Sequence, residues 1–289
     1  MGRCTSTINT IELIMLYFHS PQALTSGSDV DLRANWSPDG HTILFERLQG
    51  GRRHLWNICL KDRQESIYSQ VNLPSSNSTG RAAFLTPEEF VFVSDQSGQS
   101  ALYLSHTGVI TSLYAPEQAC HGPAFGANGH WPMLFFQQAD QNEYHIYKLE
   151  EDGQAIRLTS GNTVEDQPWP LPDGKTFVYH AQVENQHLIY HQAISPDATP
   201  ICLSIADEGT AYVTPFPSPD GTWIAFTSAQ EGSEQIWIMR VDGTERQQIT
   251  FGEPHSFPAW SPDGQMIVCT QGQPTAKQPT GKLILLRIS

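Results

Sequence analysis

The sequence predicts a ring of six four-stranded antiparallel sheets, an all-β propeller, and three observations carry that prediction. One phrase recurs: WSPDG stands at 36–40 and again at 260–264, with LPDG at 171–174 and SPDG at 218–221 between them. A short apolar strand follows each copy, TILF at 42–45, TFVY at 176–179, TWIAF at 222–226 and QMIVC at 265–269. The copies are evenly spaced. With the worn copies FLTPEEFVFV (84–93) and FGANGHWPMLFF (125–136) included, Trp36, Phe84, Phe125, Pro170, Pro217 and Trp260 mark one equivalent anchor position, at intervals of 48, 41, 45, 47 and 43 residues. A period of roughly 40–50 residues holding four short strands is the signature of a propeller blade.

Each element of the repeat has a physical reason. Pro fixes φ, Asp bonds the backbone ahead of it and Gly accepts positive φ, so Pro-Asp-Gly makes the turn between the first two strands. Asp39, Asp173, Asp220 and Asp263 are therefore read as turn formers rather than metal ligands. The Trp or Phe before the turn supplies a large apolar group to pack between blades. The apolar strand behind it presents one face to each neighbouring blade. A third strand carries an aliphatic–aromatic or similar pair, LW at 55–56, LY at 102–103, IY at 146–147 and 189–190, IW at 236–237 and LI at 283–284. A final strand closes with Leu-Thr or Ile-Thr, as at 158–159 and 249–250.

The last repeat has only three strands before LILLRIS at 283–289, whereas QALT at 22–25 matches the fourth-strand endings IRLT and QQIT. Residues 11–25 are thus expected to cross over and complete the last blade, removing the exposed sheet edges. The expected organisation is one propeller domain over 1–289, with 1–10 as a loose tail. The run IELIMLYF at 11–18 is interrupted by Glu12, is too short to span a bilayer and lacks a small-residue cleavage site, so it is read as part of the fold.

Composition excludes several classes. With 22 Gly, 20 Pro and only 16% charged residues the chain is turn-rich rather than helical or disordered. A net charge of −14, with no basic stretch longer than Arg52-Arg53, argues against nucleic acid and against a polybasic membrane anchor. The five cysteines, Cys4, Cys59, Cys120, Cys202 and Cys269, form no CxxC pair. The cytoplasm is the expected compartment, with the periplasm or secretion as the alternative.

The phrase Trp-Ser-Pro-Asp-Gly, its apolar strand, the Ile-Trp pair and the Asp-Gly turn before a Leu-Thr ending resemble the TolB-type propeller repeat. The fullest copy is PFPSPDGTWIAFTSAQEGSEQIWIMRVDGTERQQIT at 215–250, and the resemblance runs from about residue 22 to 289. It implies the fold but not a function, because such blades serve scaffolds, caps of hydrolases and metal-dependent lyases alike. The G-x-S-x-G elbow of an appended hydrolase is absent from the sequence.

The innermost strand of each repeat should line a central channel, and the residues three to five before each anchor should form its rim. They are Asp31, Leu32 and Arg33; Thr79, Gly80 and Arg81; Cys120, His121 and Gly122; Glu165, Asp166 and Gln167; Tyr212, Val213 and Thr214; His255, Ser256 and Phe257. Among these, Asp31, Arg33, Arg81, His121, Asp166, Tyr212 and His255, with Trp169 at the lip, are the expected ligand-binding set. His121, His255 and Tyr212 are the candidates for acid–base chemistry. His121, His255 and Glu165 are the candidates for holding a divalent metal, calcium or a transition metal, although no cofactor is required. His187 and His191, four apart on one strand, stand about 13 Å from each other and cannot share a metal. The expected function is non-catalytic binding of a protein, peptide or small polar ligand at the channel. The alternative is a small-molecule enzyme of lyase, cyclase or hydrolase type at the same mouth.

Overall fold

The computed structural model describes residues 21–26, 29–60, 67–70, 79–126, 133–140, 143–160, 163–204, 210–230 and 233–288. The expected tail and the apolar run at 11–18 lie outside them. Among the described residues every regular element is a β-strand. Four sheets have four strands each, and eight further strands form one sheet. That larger sheet consists of two antiparallel meanders joined by one parallel pairing, Tyr144 opposite Val164.

The PDG phrase folds as its chemistry requires. In the first copy the Ser37 hydroxyl donates to Asp39 at 2.6 Å, Asp39 accepts the His41 N–H at 3.0 Å, and Gly40 takes φ +72°. Ser218 with Asp220 and Ser261 with Asp263 repeat the arrangement, and Asp173 accepts from the Lys175 and Thr176 N–H groups. These four aspartates are committed to their turns.

Period-two alternation then divides each second strand between two cores. Ile43 and Phe45 pack with Val268 and Leu283, while Leu44, between them, packs with Phe84 and Phe92. Ile224 and Phe226 likewise face Val178 and Ile189, whereas Ala225 faces Trp260 and Ile267. Six such apolar clusters occur among the described residues, each joining strands from two consecutive repeats. One of them joins the last repeat to the first.

The Leu-Thr endings have a definite role. Leu158 donates its N–H to the Ile146 carbonyl, and the Thr159 hydroxyl accepts the Ile146 N–H, both at 2.8 Å. Ile249 and Thr250 do the same to Ile236. Leu24 and Thr25 do it to Leu283, at 2.8 and 2.9 Å, and Gln22 and Ala23 pair with Leu285 and Ile284. Residues near the start of the chain therefore occupy, beside the last strand, the position that fourth strands take elsewhere.

Candidate functional site

Six strands begin the repeats: Val30–Trp36, Thr79–Phe84, Cys120–Ala124, Val164–Pro170, Ala211–Pro217 and His255–Trp260. Each breaks register with its neighbour a few residues before its anchor. At the break the residue three before the anchor adopts a left-handed backbone: Arg33, Arg81, Gly122, Gln167, Thr214 and Phe257, with φ between +41° and +58°. Five of these are not glycine, and φ > 0 is uncommon for such residues, most of all for a bulky or β-branched one. A bulge inserts a residue and re-aims its side chain. Here it turns all six residues onto one cavity, which they line together with Trp169 and Phe216.

That cavity is the middle of a channel. Towards one end it is flanked by a small apolar cavity walled by Trp36, Phe84, Phe125 and Trp260 and by the turn prolines Pro38, Pro172, Pro219 and Pro262. Trp169 and Phe216, 4.2 Å apart, line both. Towards the other end lies a polar cavity of about 170 Å³ lined by Arg33, Arg81, Asp166, Gln167, His180, Thr214, Glu234 and Phe257, among others.

The electrostatics of the polar end are built from crossed ion pairs. Arg81 reaches Asp166 with both guanidinium arms, at 2.7 and 3.4 Å, and lies over the Phe136 ring at 5.0 Å. Arg33 donates to Glu46 at 3.0 Å and stacks over Phe257 at 4.7 Å. Glu46 also accepts the Arg81 backbone N–H at 2.9 Å. Burial alone would raise both carboxyls, but the facing guanidiniums outweigh it and hold Asp166 and Glu46 below the usual carboxylate range. Burial, reinforced by the Arg81 charge, pushes His121 down to about 4; burial also pushes His180 to about 4, with nearby Asp166 opposing it.

The structure brings some of the expected residues together and separates others, and the offset from the anchor decides which. All six residues five before the anchor, Asp31, Thr79, Cys120, Glu165, Tyr212 and His255, are at most 4% exposed and lie outside the three cavities. Asp31 is paired with Arg47 at 2.6 and 2.8 Å. Glu165 accepts from the Thr159 and Thr163 hydroxyls and meets His145 at 3.2 Å. Tyr212 packs with Ile224 and Phe226, and His255 meets the Gln271 amide at 3.2 Å. His121, four before its anchor, stacks near Phe136 and Tyr144, 5.5 and 6.1 Å away. Arg33, Arg81, Asp166 and Trp169 do share the channel.

Sequence reasoning missed Glu46, His180 and Glu234. The signal for the first two lay in hairpin register: Leu32 pairs with Glu46, and Asp166 with His180, each just beyond the bulge. Counting outward from the PDG turn and allowing one extra residue places both. Glu234 starts a third strand, Ser233–Arg240, and carried no pattern.

Among the described residues no group of three or more His, Cys, Asp or Glu side chains is arranged to hold a metal ion. The expected ligands His121, His255 and Glu165 do not meet, because Glu165 and His255 turn inward between sheets. The charged and imidazole groups of the polar cavity are two guanidiniums, Asp166 already bonded to Arg81, Glu234 and the His180 ring. Four described cysteines, Cys59, Cys120, Cys202 and Cys269, are free thiols. No helix among the described residues is long and apolar enough to cross a membrane.

Repeated sheets around a lined channel define the β-propeller class. The chain belongs to the TolB beta propeller domain family, whose model matches residues 85–278. It is 34% identical over 128 residues to the uncharacterized protein Atu1656 of Agrobacterium fabrum, a match spanning 43% of this chain but only 41% of that relative. Its fold is similar to that of a putative TolB from Agrobacterium tumefaciens, with a TM-score of 0.67 at 18% identity over 93% of both chains. It is also similar to an oligogalacturonate lyase solved in complex with manganese, with a TM-score of 0.62 at 13% identity over 96% of this chain and 97% of that one. These last two likenesses establish fold alone.

Proposed function

We propose that the chain is a single six-bladed propeller, closed by residues 22–25, that acts as a non-catalytic binding protein with its ligand in the central channel. The observation that carries the reading is the convergence of Arg33, Arg81, Gly122, Gln167, Thr214 and Phe257 on one cavity from six equivalent bulges. The ring of six inter-sheet clusters and the seating of Leu24 and Thr25 on Leu283 support the blade count and the closure. A concave site with an aromatic wall and convergent polar groups is the form ligand sites take. Backbone strain at five non-glycine residues is the kind of feature that concentrates at ligand clamps.

The binding reading is supported over the enzymatic alternative in that neither His121 nor His255 is among the residues lining these two cavities. The pairing of Arg81 with Asp166 and of Arg33 with Glu46 suits recognition of a polar ligand rather than proton transfer.

Thermal-shift screening of a library of small polar metabolites and short peptides, against wild type and Gln167→Trp, tests this. Gln167 has the same left-handed backbone as Phe257, which already carries an aromatic ring there, so a Trp at 167 adds bulk to the channel in a conformation the fold imposes on an aromatic residue elsewhere. Ligands that stabilise wild type should lose their effect in the variant. Hits that persist with the channel filled, or a library without hits, would overturn the channel assignment.

A further inference from the structure

We infer that the channel takes a zwitterion, a small molecule carrying both an ammonium and a carboxylate, such as a free α-amino acid or a short peptide. The inference rests on the channel being the ligand site. Two groups of opposite charge face the same 170 Å³ cavity, and each is left incomplete by the protein. Arg33 gives one arm to Glu46, while its Nε is buried with no acceptor. Glu234 has no cation against it among the described residues; burial raises its carboxyl, and the Ser256 hydroxyl is its polar neighbour.

The remaining charges of the cavity are committed. Arg81 and Asp166 hold each other in a bidentate pair, and Glu46 is shared by Arg33, the more distant Arg53 and the Arg81 N–H. His180 is held neutral near pH 7 by burial. An anionic ligand would complete Arg33 and leave Glu234 facing it, and a cationic ligand would do the reverse. Either ligand would leave one of the two half-buried groups incomplete, the Arg33 Nε without an acceptor or the Glu234 carboxylate without a cation, which is unfavourable. One molecule with both groups satisfies both sites.

The placement agrees with that requirement. Arg33 and Arg81 come from the first two inner strands, and Asp166 and Glu234 from the fourth and fifth repeats, so the cavity is polarised across its width. Gln167 and Thr214 lie among the lining residues as uncharged hydrogen-bonding groups, and Phe257 adds an apolar wall already stacked under Arg33. A peptide-like body suits that lining.

The test is calorimetric titration of the full chain with glycine, diglycine and triglycine, zwitterions of increasing charge separation, and with the N-acetyl and C-terminal amide form of each. One zwitterion should bind best, its length separating an amino-acid ligand from a peptide one, and either block should weaken it about tenfold or more, a loss of about 1.4 kcal/mol. Glu234→Gln should remove the preference for a free amine without weakening the N-acetyl form. Arg33→Lys keeps a cation for Glu46 but removes Nε, and should remove the preference for a free carboxylate. If a blocked form binds as tightly as its parent, the zwitterion is wrong and the channel site stands. If none of the glycine series binds the folded wild-type chain, the zwitterion is again wrong, and the library screen against Gln167→Trp decides the channel independently.

Discussion

Arg81 reaches Asp166 across the channel at 2.7 Å, linking two inner strands whose residues stand 85 positions apart in the chain. Between these two lies the strand Cys120–Ala124, whose bulge residue is Gly122. A Cβ there would stand 3.5 Å from the Arg81 guanidinium and 2.4 Å from the Phe136 ring that carries it. The missing side chain leaves room for the Phe136 ring over which Arg81 lies. A double-mutant cycle with Arg81→Met and Asp166→Asn should give a coupling of about 1 kcal/mol in denaturant unfolding. Additive effects would show the pair to be energetically idle.

Gly122→Ala should be far worse than an ordinary glycine substitution. Gly174 has a similar positive φ but open space around it, so Gly174→Ala meets only the left-handed strain of about 1–2 kcal/mol. At Gly122 the overlap with Phe136 adds overpacking of about 1–3 kcal/mol. Urea midpoints of the two variants should differ accordingly, and equal midpoints would mean that Phe136 moves aside freely.

Thr25→Val should destabilise the whole domain although Thr25 is remote from the chain's centre in sequence. Its hydroxyl accepts the Leu283 N–H at 2.9 Å in a buried setting, and leaving that donor unpaired costs about 1–3 kcal/mol. Deleting residues 1–25 should lower the melting temperature further, whereas deleting 1–7 should not. A 25-residue truncation that melts with the full chain would rule out the closing role.

Stability should fall as pH drops from about 6.5 towards 4. His180 takes its proton only near 4 in the folded protein and near 6.5 when unfolded, so between those values the unfolded state binds more protons. Asp166, His187 and Arg81 are the charged or titratable groups acting on it. His121, also held near 4, acts in the same direction. Melting curves of His180→Gln should show a shallower acid slope than wild type. An unchanged slope would assign the acid sensitivity elsewhere.

Much of the architecture was legible because the determinants are local. A Pro-Asp-Gly turn, an alternating strand and a Leu-Thr ending each act within a few residues, and the structure uses all three as their chemistry demands. The anchor spacing also picked out six equivalent three-residue stretches, each of which holds one of the left-handed bulge residues. Which of those residues face the channel was not legible. Ordinary alternation gives no warning that a bulge turns Arg33, Gln167 and Phe257 inward to the cavity while Asp31, Glu165 and His255, two positions earlier, are sealed between sheets.

The sequence by itself determined a turn-rich, acidic, all-β repeat protein of the TolB propeller type, because repetition and short-range turn chemistry are written in consecutive residues. Only the tertiary structure decided the site. The partners of Arg81 and Arg33, the neutrality of His180 and the exposure of Glu234 depend on register beyond a bulge and on strands brought together across a channel. Those contacts join residues far apart in the chain, where no local pattern records them.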